Sequence, residues 1–292
     1  MTNPDPKTPI LIAGASGRLG TYLVPALHQN GYRVTALTRL PEHVSMVGSF
    51  LSNTVLCDLA NPDNLTSHLQ GQEIVFSCAG ASLDIGNLRD RQTFYDIDFH
   101  GNAMLLEAAL NAGVRKFVYV SVFGGPEQRH LAYSDAHERF ADSLRESGIS
   151  YCIIRPTGFF GIFDQLFDMA RKGRAIMIGD GSSRTNPIHE ADLALACLQA
   201  IEGTQTDIDV GGPEILSRRE TLELAFEVLG KKAKISGVPP LLFKTAAALA
   251  SPFQPRIADL LAFGTEVSIE DTIAPQFGKH RLIDYYRELA AK

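Results

Sequence analysis

The residues best placed to do chemistry stand near the start of the chain. There an apolar run, Pro9-Ile10-Leu11-Ile12-Ala13, opens into Gly14-Ala15-Ser16-Gly17-Arg18-Leu19-Gly20. A helical pattern follows through Leu19, Leu23, Ala26 and Leu27. Glycine tolerates positive φ and lets backbone N–H groups come close to an anion. The start of the following helix adds unpaired N–H donors and a partial positive charge. Strand, glycine turn and helix in that order suit a diphosphate, so Gly14, Ser16, Gly17, Arg18, Leu19 and Gly20 are candidate ligands of a dinucleotide. The spacing is G-x-x-G-x-x-G, a departure from the commoner G-x-G-x-x-G.

A second position bears on which dinucleotide. NAD-type domains commonly place an acidic residue at the end of the second strand, on the ribose hydroxyls. Arg39 holds that place here, with no acid after it until Glu42, and Arg18 lies within the glycine loop. Two guanidinium groups suit a 2′-phosphate, which favours NADP, with NAD the alternative. The competing reading is a pair of solvated surface arginines. Asp58, just past the third strand, suits either the adenine amine or a local loop turn.

The totals narrow the field. The chain has 292 residues, 45% hydrophobic and 21% charged, with a net charge of −6. That is ordinary for a globular protein, and the acidic balance argues against a nucleic-acid partner. No run approaches the roughly 18 apolar residues of a membrane span, so no transmembrane segment is expected, while peripheral membrane contact stays open. The most apolar tract, Val238 to Leu249, is broken by Pro239, Pro240 and Lys244. Met1 to Lys7 is polar and proline-containing, without an apolar signal region, and the expectation is a cytoplasmic protein. Cys57, Cys78, Cys152 and Cys197 form no C-x-x-C pair and read as reduced thiols, largely buried. His28, His43, His68, His100, His130, His189 and His280 show no ligand spacing, so no metal is expected. Asp164 and Asp168 read as a wet helix face, and Glu190 and Asp192 as first-turn carboxylates.

The elements that must hold these residues alternate. Strands are predicted at Pro9–Ala13, Tyr32–Leu37, Val55–Cys57, Ile74–Gly80 (ending in a small-residue loop), Phe117–Ser121 and Tyr151–Arg155. Asn61-Pro62 reads as the cap and first residue of a short helix carrying Leu65 and Leu69, with Gly71 at its close. Longer helices are predicted near 94–112, 132–147 and 190–201. Apolar strands separated by helices imply a doubly wound α/β fold, a Rossmann-type parallel sheet with ligands at the carboxyl ends of its strands. The dinucleotide-binding domain is assigned to residues 1–156, with a segment near 186–210 returning to it. A smaller, mainly helical substrate or partner lobe takes 157–292. In that lobe Ser217-Arg218-Arg219-Glu220 is a capping box ahead of an apolar stripe, Leu222, Ala225, Phe226 and Leu229. Phe159, Phe160, Phe163 and Phe167 fit either core packing or an apolar substrate cavity.

Several stretches together resemble the extended short-chain dehydrogenase/reductases. They are Gly14 to Gly20, Asp58-Leu59, Ser77-Cys78-Ala79-Gly80, Val118-Tyr119-Val120-Ser121, Ile153-Ile154-Arg155-Pro156 and Gly211 to Ser217. Within that family they look like the atypical branch, with NmrA-like regulators and the NDUFA-nine-like subunits of respiratory complex I. The resemblance implies that Leu59, Cys78, Ala79, Gly80, Pro156, Thr157 and Gly158 join the cofactor site. It also implies catalysis by Ser121, which orients substrate, and Tyr133, which delivers a proton. The family's ribose-holding lysine, four residues after the tyrosine, is His137 here. An i, i+4 pair shares a helix face, but a histidine with a pKa of ~6.5 is mostly neutral near pH 7 and stabilises a tyrosinate far less than lysine.

Three readings follow. One is an NADPH-dependent reductase of a carbonyl or quinone-like small molecule using Tyr133. Another is a non-catalytic NADP(H)-binding sensor or an assembly or scaffold protein with a protein partner. The last is an active site built from other residues.

Overall fold

The computed structural model describes residues 8–81, 83 and 92–292; the stretch Met1 to Lys7, read above as polar, lies outside them. The chain alternates as its apolar runs require. Strand β1 (Pro9–Ala13) leads to helix α1 (Gly20–Gln29), β2 (Arg33–Thr38), β3 (Asn53–Leu56), α2 (Leu65–Leu69) and β4 (Ile74–Ser77). Then come α3 (Asn102–Asn111), β5 (Lys116–Val120), α4 (Ala132–Glu146), β6 (Ser150–Pro156) and α5 (Asp164–Arg171). Beyond them lie β7 (Ala175–Ile178), β8 (Arg184–Thr185), α6 (Glu190–Glu202), β9 (Asp207–Val210) and β10 (Leu216–Ser217). The chain ends with α7 (Arg218–Val228), β11 (Ile235–Val238), α8 (Pro240–Ala250), α9 (Pro255–Ile269) and α10 (Leu282–Ala290).

Seven strands form one sheet in the order β3-β2-β1-β4-β5-β6-β9. The ladders from β3 through β6 are all parallel, with Ile10 opposite both Val34 and Ile74. The order reverses between β1 and β4, and there the carboxyl ends of the two strands diverge to leave a crevice. Strands β1, β4 and β5 are buried along their whole length, as a sheet covered on both faces demands. Their apolar side chains pack with Leu105, Leu106, Ala109, Phe140 and Leu144 of α3 and α4.

Two compact units share the chain. The first takes in the sequence through Arg155 together with Ala194–Ile208. The second takes Pro156–Leu193 and Asp209–Lys292. In the second unit Phe160, Phe163 and Phe167 pack with Leu222, Phe226 and Tyr286, so these three phenylalanines are core. The capping box at Ser217 closes in both directions: Glu220 N–H donates to Ser217 Oγ at 3.1 Å, and Ser217 N–H donates to Glu220 Oε2 at 2.7 Å.

Three local features differ from the sequence expectation. The short helix begins at Leu65, not at Asn61-Pro62, because Asn64 turns left-handed (φ 55°) immediately before it and asparagine tolerates that conformation. The helix expected from Phe94 opens as a π-helix, Tyr95–Gly101, before settling into α3. The sheet also gains β9 as a seventh strand, beside β6.

Candidate functional site

The site begins at the tip of β1. Gly14 has φ of +92°, and a Cβ there would stand 2.6 Å from Cys78 O, so only glycine fits. Gly17 N–H donates to Gly14 O at 3.0 Å, and Thr21 N–H to Gly17 O at 3.0 Å. Gly20 begins α1, where a side chain would collide with the carbonyls of Gly14 and Ala15. Leu19 is buried beneath the loop, while Ser16, Gly17 and Arg18 are exposed on it. No acidic residue occupies the first turn of α1 to cancel its partial positive charge.

This loop forms one wall of a cleft of about 230 Å³ at the carboxyl ends of β1, β2 and β4. Gly14, Ser16, Gly17, Arg39, Asp58, Leu59, Cys78, Ala79 and Gly80, all marked by the sequence, line it together. Arg39 is exposed at the end of β2. Asp58 Oδ1 accepts the Ala60 N–H at 3.0 Å, closing a small turn while the residue still faces the cleft. Leu37, Thr38, His43, Cys57, Ala81, Gln92 and Ile97 also line it and were missed, because a strand end, a short helix, a π-helix and loop residues reach one cleft only through tertiary folding that no local pattern announces. Pro156, Thr157 and Gly158 belong to the second unit. There Thr157 Oγ1 donates to Asn186 O at 2.6 Å, and Gly158 O accepts the Ile188 N–H at 2.8 Å.

Beneath the cleft lies a buried polar cluster. Asn102 accepts from Ser77 Oγ at 2.5 Å and donates to the carbonyls of Ala79, Ile97 and Asp98 at 3.1–3.3 Å. A π-turn shifts the backbone bonding register, and Asn102 uses the carbonyls of that turn to pin it to the end of β4. Asp98, fully buried, accepts the Ala81 N–H at 3.2 Å, so its carboxyl backs the Gly80–Ala81 floor directly.

Of the three catalytic candidates, Tyr133 and His137 adjoin this cluster, while Ser121 stands just past β5 with its N–H donating to Ile154 O at 2.8 Å. Ser121 is buried with its Oγ taking no hydrogen bond. Tyr133 is half-buried, its ring edge-on to Phe94 and to His137 at 5.0 and 4.7 Å between centroids. Burial, with Asp98 adding to it, holds its phenol well above the ordinary tyrosine range. His137 is 4% exposed. Its Nδ1 meets the Tyr119 hydroxyl at 2.5 Å and its Nε2 lies 3.4 Å from Asp98 Oδ1. Burial, and secondarily Arg155, lowers its pKa from 6.5 to about 3, so the ring is neutral at pH 7. Asp98 and Tyr119 had no sequence signal: each reads as an ordinary member of a helix or a strand.

What such a cleft can hold follows from its donors. The glycine loop offers backbone N–H groups with nothing larger than hydrogen at Gly14 and Gly17, and a helix start lies behind them. Those features fit a dinucleotide diphosphate. The exposed guanidinium of Arg39, which also lines the cleft, is of the kind that suits a further phosphate.

Comparison with known proteins agrees. The NAD(P)H-binding family pattern matches residues 14–204. Among curated relatives, a divinyl chlorophyllide a 8-vinyl-reductase of Zea mays is 28% identical over 257 residues, covering 81% of this chain and 63% of that protein. A photosystem II assembly factor, Ycf39, of Trieres chinensis is 24% identical over 268 residues, covering 90% of this chain and 82% of that protein. Among solved structures, the NADPH-dependent quinone oxidoreductase QOR2 of Escherichia coli, complexed with NADPH, shares the fold with a TM-score of 0.74 at 21% identity. That alignment covers 96% of this chain and 99% of QOR2. With the glycine cradle, the switch point between β1 and β4 and the family pattern all in agreement, the chain belongs to the NAD(P)H-binding family.

Proposed function

We propose that the protein is an NADPH-dependent reductase of a carbonyl or quinone-like small molecule. The observation that carries this reading is Arg39, an exposed cation lining the same cleft as the glycine loop. When bound, NADPH supplies the hydride. The loop N–H groups of the Gly14–Gly20 turn hold its diphosphate, and Arg39 holds the 2′-phosphate. Tyr133 keeps its proton at the hydroxyl, since burial raises the phenol and no cation on α4 lowers it. A tyrosine held in that form donates a proton to a substrate oxygen as the oxygen gains charge. At neutral pH it holds no phenolate that could take a proton from an alcohol. Ser121, whose Oγ is otherwise unbonded, steadies the same oxygen. The NADPH held by QOR2 in its complex supports the choice of cofactor.

The test is a fluorescence titration with NADPH and NADH, then NADPH oxidation against a panel of quinones and carbonyls. Tyr133→Phe should keep NADPH affinity within about twofold and lose about 100-fold or more of turnover. Absence of any NADPH affinity overturns the reading.

A second reading has its own support. His137 is neutral and held between Tyr119 and Asp98, where a lysine would have supplied a cation. A protein in which that helper is lost can bind NADP(H) as a sensor or as an assembly factor, as Ycf39 is described. Tight NADPH binding with no turnover against any acceptor is the outcome that selects it.

A further inference from the structure

From the exposed face of α8 and the acid-free, lysine-bearing stretch of sequence that contains it, we infer that this segment docks on an anionic lipid surface. Two features of the second unit carry the inference independently of the reductase reading. Leu242, Ala246 and Leu249 repeat at i, i+4 and i+7 along α8, and Phe253 continues the row into the turn before α9. All four are exposed, Leu249 at 71% and Phe253 at 83%, and Leu241 flanks them at 71%. An amphipathic helix normally turns such a row inward; here the apolar arc faces out, and Ala247 is the buried residue of α8. A contiguous exposed patch of large aliphatic and aromatic side chains marks an interaction surface.

Charge selects the occupant. Between Glu227 and Asp259 the sequence carries Lys231, Lys232, Lys234, Lys244 and Arg256 and not one acidic residue, in a chain whose net charge is −6. The three lysines before β11 and Lys244 on α8 are exposed. Lys244 has a surface ion pair with Glu266 at 4.0 Å, which is long and weak. An acid-free cationic stretch enclosing an exposed Leu/Phe row is the pattern that lies in the headgroup region of an anionic bilayer: apolar side chains enter the acyl boundary and ammonium groups meet phosphates. Among the described residues no helix is long and apolar enough to cross a membrane, so the contact is peripheral.

The chain contains no tryptophan, so Phe253→Trp creates a single fluorescent reporter at the tip. Vesicles of phosphatidylcholine and phosphatidylglycerol in equal parts should shift its emission to the blue and float the full-length protein. Phosphatidylcholine vesicles alone should do so at least tenfold less well. In the wild-type background Leu249→Glu with Phe253→Glu should cut flotation about tenfold or more, while NADPH affinity stays within about twofold of wild type. The inference is overturned if the reporter emission ignores anionic vesicles, or if the double substitution leaves flotation unchanged. A blue shift that follows protein concentration without any vesicle overturns it in favour of a second copy covering the row. The affinity for NADPH is read separately, so failure here leaves the cofactor reading standing.

Discussion

The Tyr119 hydroxyl and His137 Nδ1 meet at 2.5 Å in the interior, and the far side of the same imidazole faces Asp98 Oδ1 at 3.4 Å. Strand β5, helix α4 and the π-helix are thereby joined through one ring. Burial raises the Asp98 carboxyl from 3.8 to about 8 and lowers His137 from 6.5 to about 3, so the folded pair carries one proton across that interval.

The pair sets a pH dependence whose sign follows from counting protons. Unfolded, it holds two protons below 3.8, one from there to 6.5 and none above. The counts of the two states match between 3.8 and 6.5, and stability is flat there. Above 6.5 the folded pair holds one proton more, so stability falls as pH rises, by about 1.4 kcal/mol per unit and roughly 2 kcal/mol by pH 8. Urea midpoints at about pH 6 and pH 8 should show this loss. Asp98→Asn should remove it, and a wild-type midpoint constant over the range rules the mechanism out.

Gly14→Ala should be severe. Positive φ disfavours any Cβ, and this one would press on the Cys78 carbonyl, for roughly 3 kcal/mol or more. Gly113→Ala is the control: φ is +74° but nothing stands within 4 Å, so about 1–2 kcal/mol is expected. Equal denaturation midpoints for the two variants would contradict the crowding seen at the loop.

Arg39→Ala should weaken NADPH binding about tenfold to 100-fold and leave NADH within about twofold. Parallel calorimetric titrations give the ratio directly. An equal loss for both cofactors would mean that Arg39 supports the cleft wall without touching a 2′-phosphate.

Arg155 lies on β6 with Nε 3.1 Å from Glu138 Oε1 and Nη1 2.8 Å from Asp207 Oδ1, and Glu138 is fully buried. Arg155→Leu should cost about 3–5 kcal/mol, because Glu138 keeps only distant cations, Arg145 at 3.8 Å and Arg129 at 3.9 Å. Adding Glu138→Leu should recover most of that cost, as buried pairs replaced whole are often near neutral. Thermal denaturation of the single and double variants measures the coupling.

What could be read ahead of the fold was whatever lies within a few residues. Gly14, Gly17 and Gly20 announce their turn because the constraint is local, and Ser217 with Glu220 announces α7 for the same reason. Arg39 was legible by its place after β2. Asp98 and Tyr119 were not, since their meaning comes from π-helix and strand converging on His137 from positions up to 39 residues apart, and Asn102 was not, since it acts by tying the π-helix to Ser77 of β4. The shifted start of α2 has a related cause: Asn61-Pro62 and Asn64 both carry capping chemistry, and only the left-handed turn at Asn64 settles which one opens the helix.

The seventh strand has a consequence for how the protein is made. β9 and Asp207, which complete the sheet beside β6 and ligate Arg155, are translated only after Pro156–Leu193. A nascent chain emerging from the ribosome as far as Arg155 therefore carries an unshielded sheet edge and a half-ligated guanidinium. Closure must wait for roughly fifty more residues, a window in which that edge is open to chaperones or to aggregation.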